Sequence, residues 1–433
     1  MEDNSLKECI SFFKSNNGYK RLMEGAYKKY RSLGTLGGTV VLKNLTFEEK
    51  DALSGLLRKD YYSSKSASIK LENVKKMLDE SKFQGIPLED VVEGYFKREL
   101  ISKKDEKSRY EAERQSFFDS IADSFKYTRA GSCFGQLIDS RSNAFKLICS
   151  LYDKDKNMMK STMSSVLNAL NALSFDTSNP SRLAIFSSSI TKNPHFFDWG
   201  TEGSRLLLYG VCRILGDTPY PKSAEERTEV LYRAGLITDE ISNYTMTSGL
   251  IAYSDNLIHD GWLGFYNSKE PLLATLWNIS KISRVTSPTG KVFVFENPTV
   301  FSHVKTFMES DNPPLVCTFG QVKLASLILL DKLVDEGCLI YYSGDFDPEG
   351  LLIADKLKMR YGSNLVLWRY TQDDFMNALS GNPVEAHRLK ILQGLRDSSL
   401  IKLGESILSC GRAGYQELLA ERYAEDIGLL INS

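Results

Sequence analysis

Three carboxylates in the second half of the chain are spaced for chemistry. Glu296 ends the apolar run Val292-Phe293-Val294-Phe295. Asp345 and Asp347 follow another, Cys338-Leu339-Ile340-Tyr341-Tyr342, within Gly344-Asp345-Phe346-Asp347-Pro348-Glu349-Gly350. Two further runs, Leu315-Val316-Cys317 (leading into Thr318-Phe319-Gly320) and Asn364-Leu365-Val366-Leu367-Trp368, complete the pattern. Helical stretches lie between them, over 299–309, 321–336 and 348–360. Short runs apolar on both faces, alternating with helices, predict a parallel sheet of βαβ units.

Sites in such sheets form outside the carboxyl ends of the strands. If the strands ending at Glu296 and Asp345 are neighbours, Glu296, Asp345 and Asp347 share one edge. Clustered carboxylates repel unless a cation neutralises them, and all-oxygen ligands select Mg²⁺ or Mn²⁺. Such ions serve phosphoryl chemistry. Glu296, Asp345 and Asp347 are therefore the expected catalytic and metal-binding residues, with Glu349 as a further candidate ligand. The same residues also have a structural reading. Asp347-Pro348 is a good N-cap and N1 pair, and Glu349 suits a first helical turn. The position of all three acids at one end of one inferred sheet favours a site, and Asn297-Pro298 makes a sharp strand exit after Glu296.

The elements that must position these acids occupy 433 residues, enough for two or three domains. The expected division is 1–125, a small α/β and charged helical region; 126–255, mostly helical; and 256–433, the catalytic α/β domain. In the first, Thr39-Val40-Val41-Leu42 reads as a strand and Thr46-Phe47-Glu48-Glu49 as a capping box opening a helix through Leu57. A strand at Ala67–Leu71 and a helix at Glu72–Asp79 follow. Residues 96–126 are dense in charge of both signs and read as a solvated helix, with Lys103, Lys104 and Lys107 as candidate DNA contacts. Further on, Ser223-Ala224-Glu225-Glu226 is a second capping box, Gly235 a helix-ending glycine, and His195 a loop residue expected to support the fold.

Charge and composition exclude several classes. With 54 basic and 55 acidic residues the chain is nearly neutral, so DNA binding must rest on local patches or other subunits. Residues 1–255 hold 37 basic and 34 acidic residues, and 256–433 hold 17 and 21. Seven scattered cysteines predict reduced thiols and a cytoplasmic protein, with no Cys-x-x-Cys zinc site. The acidic start Met1-Glu2-Asp3-Asn4 does not read as a signal peptide, and no apolar run approaches the ~20 residues of a membrane span. There is no Walker A pattern, Gly-x-Ser-x-Gly elbow or His-Glu-x-x-His helix. Gly34-Thr35-Leu36-Gly37-Gly38 lacks the preceding strand of a dinucleotide loop.

A strand ending in Glu followed by one ending in Asp-x-Asp resembles the Toprim fold of topoisomerases, primases and related nucleases. The segments Phe293-Val294-Phe295-Glu296-Asn297-Pro298, Pro314-Leu315-Val316-Cys317-Thr318-Phe319-Gly320-Gln321 and Tyr342-Ser343-Gly344-Asp345-Phe346-Asp347-Pro348-Glu349-Gly350-Leu351 are more specifically similar to Toprim nuclease subunits of Wadjet-type plasmid-defence operons. The stretch Gly37 to Glu49 and His195-Phe196-Phe197-Asp198 share that resemblance. Many relatives carry a Trp before the Pro-Gly of the third segment, where this chain has Pro348-Glu349-Gly350.

The resemblance implies a C-terminal Toprim domain, a parallel Rossmann-like sheet with flanking helices, behind an N-terminal α+β and helical region. It implies a metal-dependent endonuclease that cuts closed circular plasmid DNA. Its partners would be a condensin-like SMC ATPase, a kleisin and an accessory winged-helix subunit, and ATP hydrolysis would come from the partners. Two cuts on opposite strands favour a homodimer. Two other classes stay open: a topoisomerase-like or recombination-initiating enzyme that cuts with a tyrosine, and a non-catalytic DNA-binding scaffold.

Overall fold

The computed structural model describes residues 2–431; Met1 of the acidic N-terminus lies outside them. The chain forms two compact units, one ending at Ser124 and the other beginning at Phe125. Among the described residues no helix is long and apolar enough to cross a membrane, and all seven cysteines are free.

The first unit packs helices α1 (Glu2–Ser15), α2 (Lys20–Leu33), α3 (Phe47–Leu57), α4 (Leu71–Asp79) and α5 (Leu88–Phe96) with a ribbon of β1 (Thr39–Lys43) and β2 (Ser66–Lys70). The ribbon is antiparallel, with Thr39 opposite Lys70 and Lys43 opposite Ser66. Its alternation buries Val40, Leu42, Ala67 and Ile69 with Leu22, Met23 and Val74, the period-2 signature of a one-sided ribbon. Gly25 of α2 lies so close to β1 that a Cβ there would stand 2.3 Å from Val40 Cγ1. The Thr46 capping box forms as expected: Thr46 Oγ1 accepts from the Glu49 amide, and Glu49 accepts from the Thr46 amide. The charged stretch 96–126 is not one helix. Lys97 adopts a left-handed φ of 52° that ends α5, and α6 (Lys103–Ser124) starts afresh.

The second unit begins with helices α7 (Arg129–Asp139), α8 (Asn143–Lys154), α9 (Lys156–Ala172), α10 (Leu183–Thr191), α11 (Glu202–Ile214) and α12 (Ala224–Arg233). Ser223 caps α12 through the Glu226 amide, but the Glu226 carboxylate reaches back to the Lys222 amide rather than to Ser223. Gly235, at φ 79°, follows that helix. His195 is exposed, with Nδ1 2.8 Å from Asp198 inside its own loop.

Six strands then form one sheet: β3 (Tyr244–Ser248), β4 (Leu272–Thr275), β5 (Lys291–Phe295), β6 (Leu315–Cys317), β7 (Leu339–Ser343) and β8 (Leu365–Leu367), in the order β8-β7-β5-β6-β3-β4. The four strands read from apolar runs are mutually parallel, while β3 and β4 add on antiparallel. Residue 255 is therefore not a structural boundary. β3 lies before it yet pairs with β6, because the fully apolar β6 would otherwise leave an unpaired edge. Helices α13 (Pro298–Phe307), α14 (Leu324–Asp335) and α15 (Pro348–Tyr361) make the crossovers. The core holds Phe293, Phe295, Leu329, Tyr342, Phe346 and Tyr423.

Candidate acidic site

β5 and β7 are parallel neighbours, with Phe295 opposite Ser343. Glu296 and Asp345 therefore leave the sheet side by side, the arrangement that the strand ends predict. The ladder continues past the strands, since the Glu296 amide donates to Ser343 O at 3.2 Å. On the other side β6 braces the same residue: the Thr318 amide donates to Phe295 O and the Gly320 amide to Glu296 O. Phe319 and Gly320, with φ of 58° and 79°, make the left-handed turn that carries this second contact.

The Glu296 carboxylate accepts the Asp345 amide at 3.3 Å. Asp345 Oδ1 in turn accepts the Gln416 amide at 2.9 Å. Burial pushes the Glu296 carboxyl up to about 7, and the Asp345 charge beside it adds to that. Burial raises Asp345 to about 6, with Glu417 and Asp347 contributing. Tyr342 and Tyr370 lie against the same carboxylate, buried, and among the described residues their hydroxyls have no hydrogen-bond partner. Both are pushed well above the usual phenol range by burial and by Glu296.

Asp347 is placed differently. Phe346 turns into the core against Tyr370 and Phe375, and its backbone exchanges two 3.0 Å hydrogen bonds with Gly414. Asp347 then caps α15, accepting the Gly350 amide at 2.7 Å, while its other oxygen meets Arg388 at 2.5 Å. Arg388, from the short helix α16 (Ala386–Leu389), also holds Glu349 at 2.5 Å. That pairing keeps the Glu349 carboxyl below its ordinary value. The structure thus brings Glu296 and Asp345 together and ties Asp347 and Glu349 to a guanidinium. Among the described residues no three His, Cys, Asp or Glu side chains stand as a group that could hold a metal ion. The reason is local: Arg388 and the helix cap occupy the Asp347 oxygens.

The donor set nevertheless fits a hard divalent ion. Two half-buried, oxygen-only carboxylates stand together without an ion pair of their own among the described residues, and a third is tied to a guanidinium beside them. Glu296 and Asp345 would hold such an ion, with Asp347 joining when Arg388 releases it. Lys103, Lys104 and Lys107 lie exposed on α6 in the other unit, with Lys107 3.8 Å from Glu111.

Sequence reasoning missed Arg388, Tyr370, Gln416 and Glu417. Gln416 is fully buried and links the two acids' loops: its amide serves Asp345, and its Oε1 accepts the Asn297 amide at 3.2 Å. Glu417 accepts from the Asn297 side chain at 2.6 Å. These residues arrive from far along the chain, and no motif marks them. Gly344 was legible as a glycine inside the acidic segment, although not its reason.

Two family models match the chain. Residues 36–252 match the one described as protein of unknown function N-terminus (DUF3323). Residues 272–427, which include every acid of the site together with Arg388 and Gln416, match the one described as protein of unknown function C-terminus (DUF2399). No curated protein matches the chain.

Proposed function

We propose that this chain, which belongs to the DUF3323 family and carries the DUF2399 domain behind it, is a divalent-metal-dependent DNA endonuclease. The observation that carries the reading is the Glu296–Asp345 pair, two half-buried carboxylates at the carboxyl edge of a parallel sheet with no ion pair of their own among the described residues. The succession of the two family domains supports the resemblance to nuclease subunits of Wadjet-type plasmid-defence systems. On that reading the catalytic domain is Toprim, the substrate is closed circular double-stranded DNA, and a condensin-like SMC ATPase, a kleisin and a winged-helix subunit deliver it. A homodimer would supply the two sites that cutting both strands needs.

Mg²⁺ or Mn²⁺, when bound, supplies the positive charge that neutralises the acids and polarises a scissile phosphate. The chain's own residues do the rest. β5 and β7 fix the Glu296 and Asp345 backbones in register, so the two carboxylates are set before a ligand arrives. Gln416 holds Asp345 by its amide and the Glu296 exit by its side chain. Arg388 restrains Asp347 and Glu349 and lowers the negative charge that DNA meets. The alternative, tyrosine-based cleavage, gains nothing from Tyr342 and Tyr370: both hydroxyls are buried and held far from ionisation.

The test is the purified full chain with supercoiled plasmid and Mg²⁺ or Mn²⁺. Nicking or linearisation that needs the metal and disappears in Asp345→Asn supports the reading. Protein left covalently on the DNA after denaturation would favour the tyrosine enzyme. Absence of any cut, alone and with the partner subunits added, would favour the scaffold.

A further inference from the structure

The N-terminal unit carries a charge pattern that the acidic site does not use. α2 bears five basic residues, Lys20, Arg21, Lys28, Lys29 and Arg31, against the single acid Glu24. Arg21, Glu24, Lys28, Lys29 and Ser32 line one wall of a groove of about 510 Å³, with Glu24 the single carboxylate among its lining residues, and Thr39, Val40, Val41 and Leu42 of β1 line the other. Positions 21, 25, 28 and 32 form one stripe along a helix, so the cations follow the groove. The outward positions of the neighbouring ribbon are Thr39, Val41 and Lys43 on β1, and Ser66, Ser68 and Lys70 on β2. That face has two ammonium groups, three hydroxyls and no carboxylate. Arg21 is held by Glu49 at 3.1 Å, and Arg31 by Glu106. Lys28, Lys29, Lys43 and Lys70 have no ion pair among the described residues.

α6 offers a contrast. It has five basic and six acidic residues, and two of its cations are engaged: Lys107 faces Glu111, and Arg109 meets Glu99 at 3.1 Å. A duplex would meet a balanced surface there and a positive one along α2 and the ribbon.

We propose that the α2–β1 groove and the adjoining ribbon face bind the phosphate backbone of duplex DNA. Lysines interleaved with serine and threonine hydroxyls are the usual contacts to phosphate oxygens, and they carry no base readout. The stripe from Arg21 to Ser32 is about 16 Å long, enough to follow several phosphates of one strand. A protein partner would want exposed apolar anchors, and the ribbon's outward face has only Val41, since Val40 and Leu42 of the groove are buried. The choice of DNA rests on the endonuclease reading, whereas the charge pattern does not.

The experiment measures binding of a fluorescein-labelled DNA duplex to the full chain in EDTA, across a salt series. In Lys28→Gln/Lys29→Gln/Lys43→Gln/Lys70→Gln, affinity should fall at least ~10-fold and the slope of log K against log salt should shrink by roughly 3–4, about 0.9 for each phosphate contact. Lys103→Gln/Lys104→Gln/Lys107→Gln should leave both unchanged. If circular dichroism shows the fourfold variant unfolded, Lys28→Gln/Lys29→Gln alone should reduce the slope by about 2. An unchanged slope, failure of the wild-type chain to bind the duplex, or tighter binding of the corresponding RNA duplex would each overturn the proposal. Because no metal is present, the two readings separate. Binding through this face without cleavage under any metal, both alone and with the partner subunits added, sinks the nuclease, while metal-dependent cleavage with unaltered salt dependence in the fourfold variant sinks the groove.

Discussion

The Glu296 carboxylate lies against the backbone of Gly344. A Cβ at that glycine would stand 2.5 Å from Glu296 Oε2, 3.0 Å from the Tyr370 hydroxyl and 3.1 Å from the Tyr342 hydroxyl. Gly344 follows Ser343, the partner of Phe295 in the β5–β7 ladder, so the strand register itself aims Glu296 at the one residue without a side chain. In Gly344→Ala the methyl group must displace the carboxylate or two buried rings. We expect a loss of about 1–3 kcal/mol in unfolding free energy and at least ~10-fold in metal-dependent plasmid cleavage. Denaturant unfolding and nicking at wild-type levels would show that the carboxylate has room to move.

Glu296→Gln, Asp345→Asn and Asp347→Asn should each lower metal-dependent cleavage by ~100-fold or more while leaving the fold intact. Asparagine retains the cap on α15, so the Asp347 variant separates ligand from cap. A wild-type cleavage rate in Asp345→Asn would contradict the assignment of the site.

Stability without metal should depend on pH in a defined direction. Glu296, near 7, and Asp345, near 6, both hold their protons more tightly folded than at the ordinary values of 4.5 and 3.8. Their contribution is therefore fully present below about pH 4 and is lost as pH rises through 6 and 7. In EDTA, Tm should fall between about pH 5 and about pH 8 by roughly 2–4 °C more in the wild type than in Glu296→Gln. Mn²⁺ should restore the wild-type Tm lost at the alkaline end. A wild-type curve parallel to that of Glu296→Gln would show that Glu296 ionises freely in the folded state.

Arg388 holds Asp347 and Glu349 by charge-assisted hydrogen bonds, so it competes with a cation for the same oxygens. Arg388→Gln should tighten Mn²⁺ binding several-fold by calorimetry and lower Tm without metal. Glu349→Gln should change cleavage less than ~3-fold, because Glu349 is already paired. A loss in Glu349→Gln as large as in Asp345→Asn would make Glu349 a ligand.

A helix cap gives an independent measure of the N-terminal unit. Thr46→Ala removes the acceptor for the Glu49 amide and should cost about 1 kcal/mol in unfolding of that unit, read by hydrogen exchange across α3.

Short-range chemistry wrote much of this protein into its sequence. The runs before Glu296 and Asp345 are apolar on both faces, which only a strand covered by helices tolerates, and they became β5 and β7. Thr46-x-x-Glu49 closed its capping box because all its partners lie within one helical turn. That Glu296 and Asp345 leave one edge together follows from strand order, which the spacing posed as a condition and the fold met. The tertiary structure alone decided the rest. It recruited Tyr244–Ser248 to a sheet whose other strands are distant in sequence, because an apolar edge needs a partner wherever one can be found. It brought Arg388 to Asp347 and Gln416 to Asp345 across 41 and 71 residues. Such contacts depend on how whole elements pack, and no local pattern encodes them. It also sorted the charges. α2 and α6 each carry five basic residues, but acids neighbouring α6 in sequence and in space neutralise it, while α2 lies beside a ribbon whose open face has none.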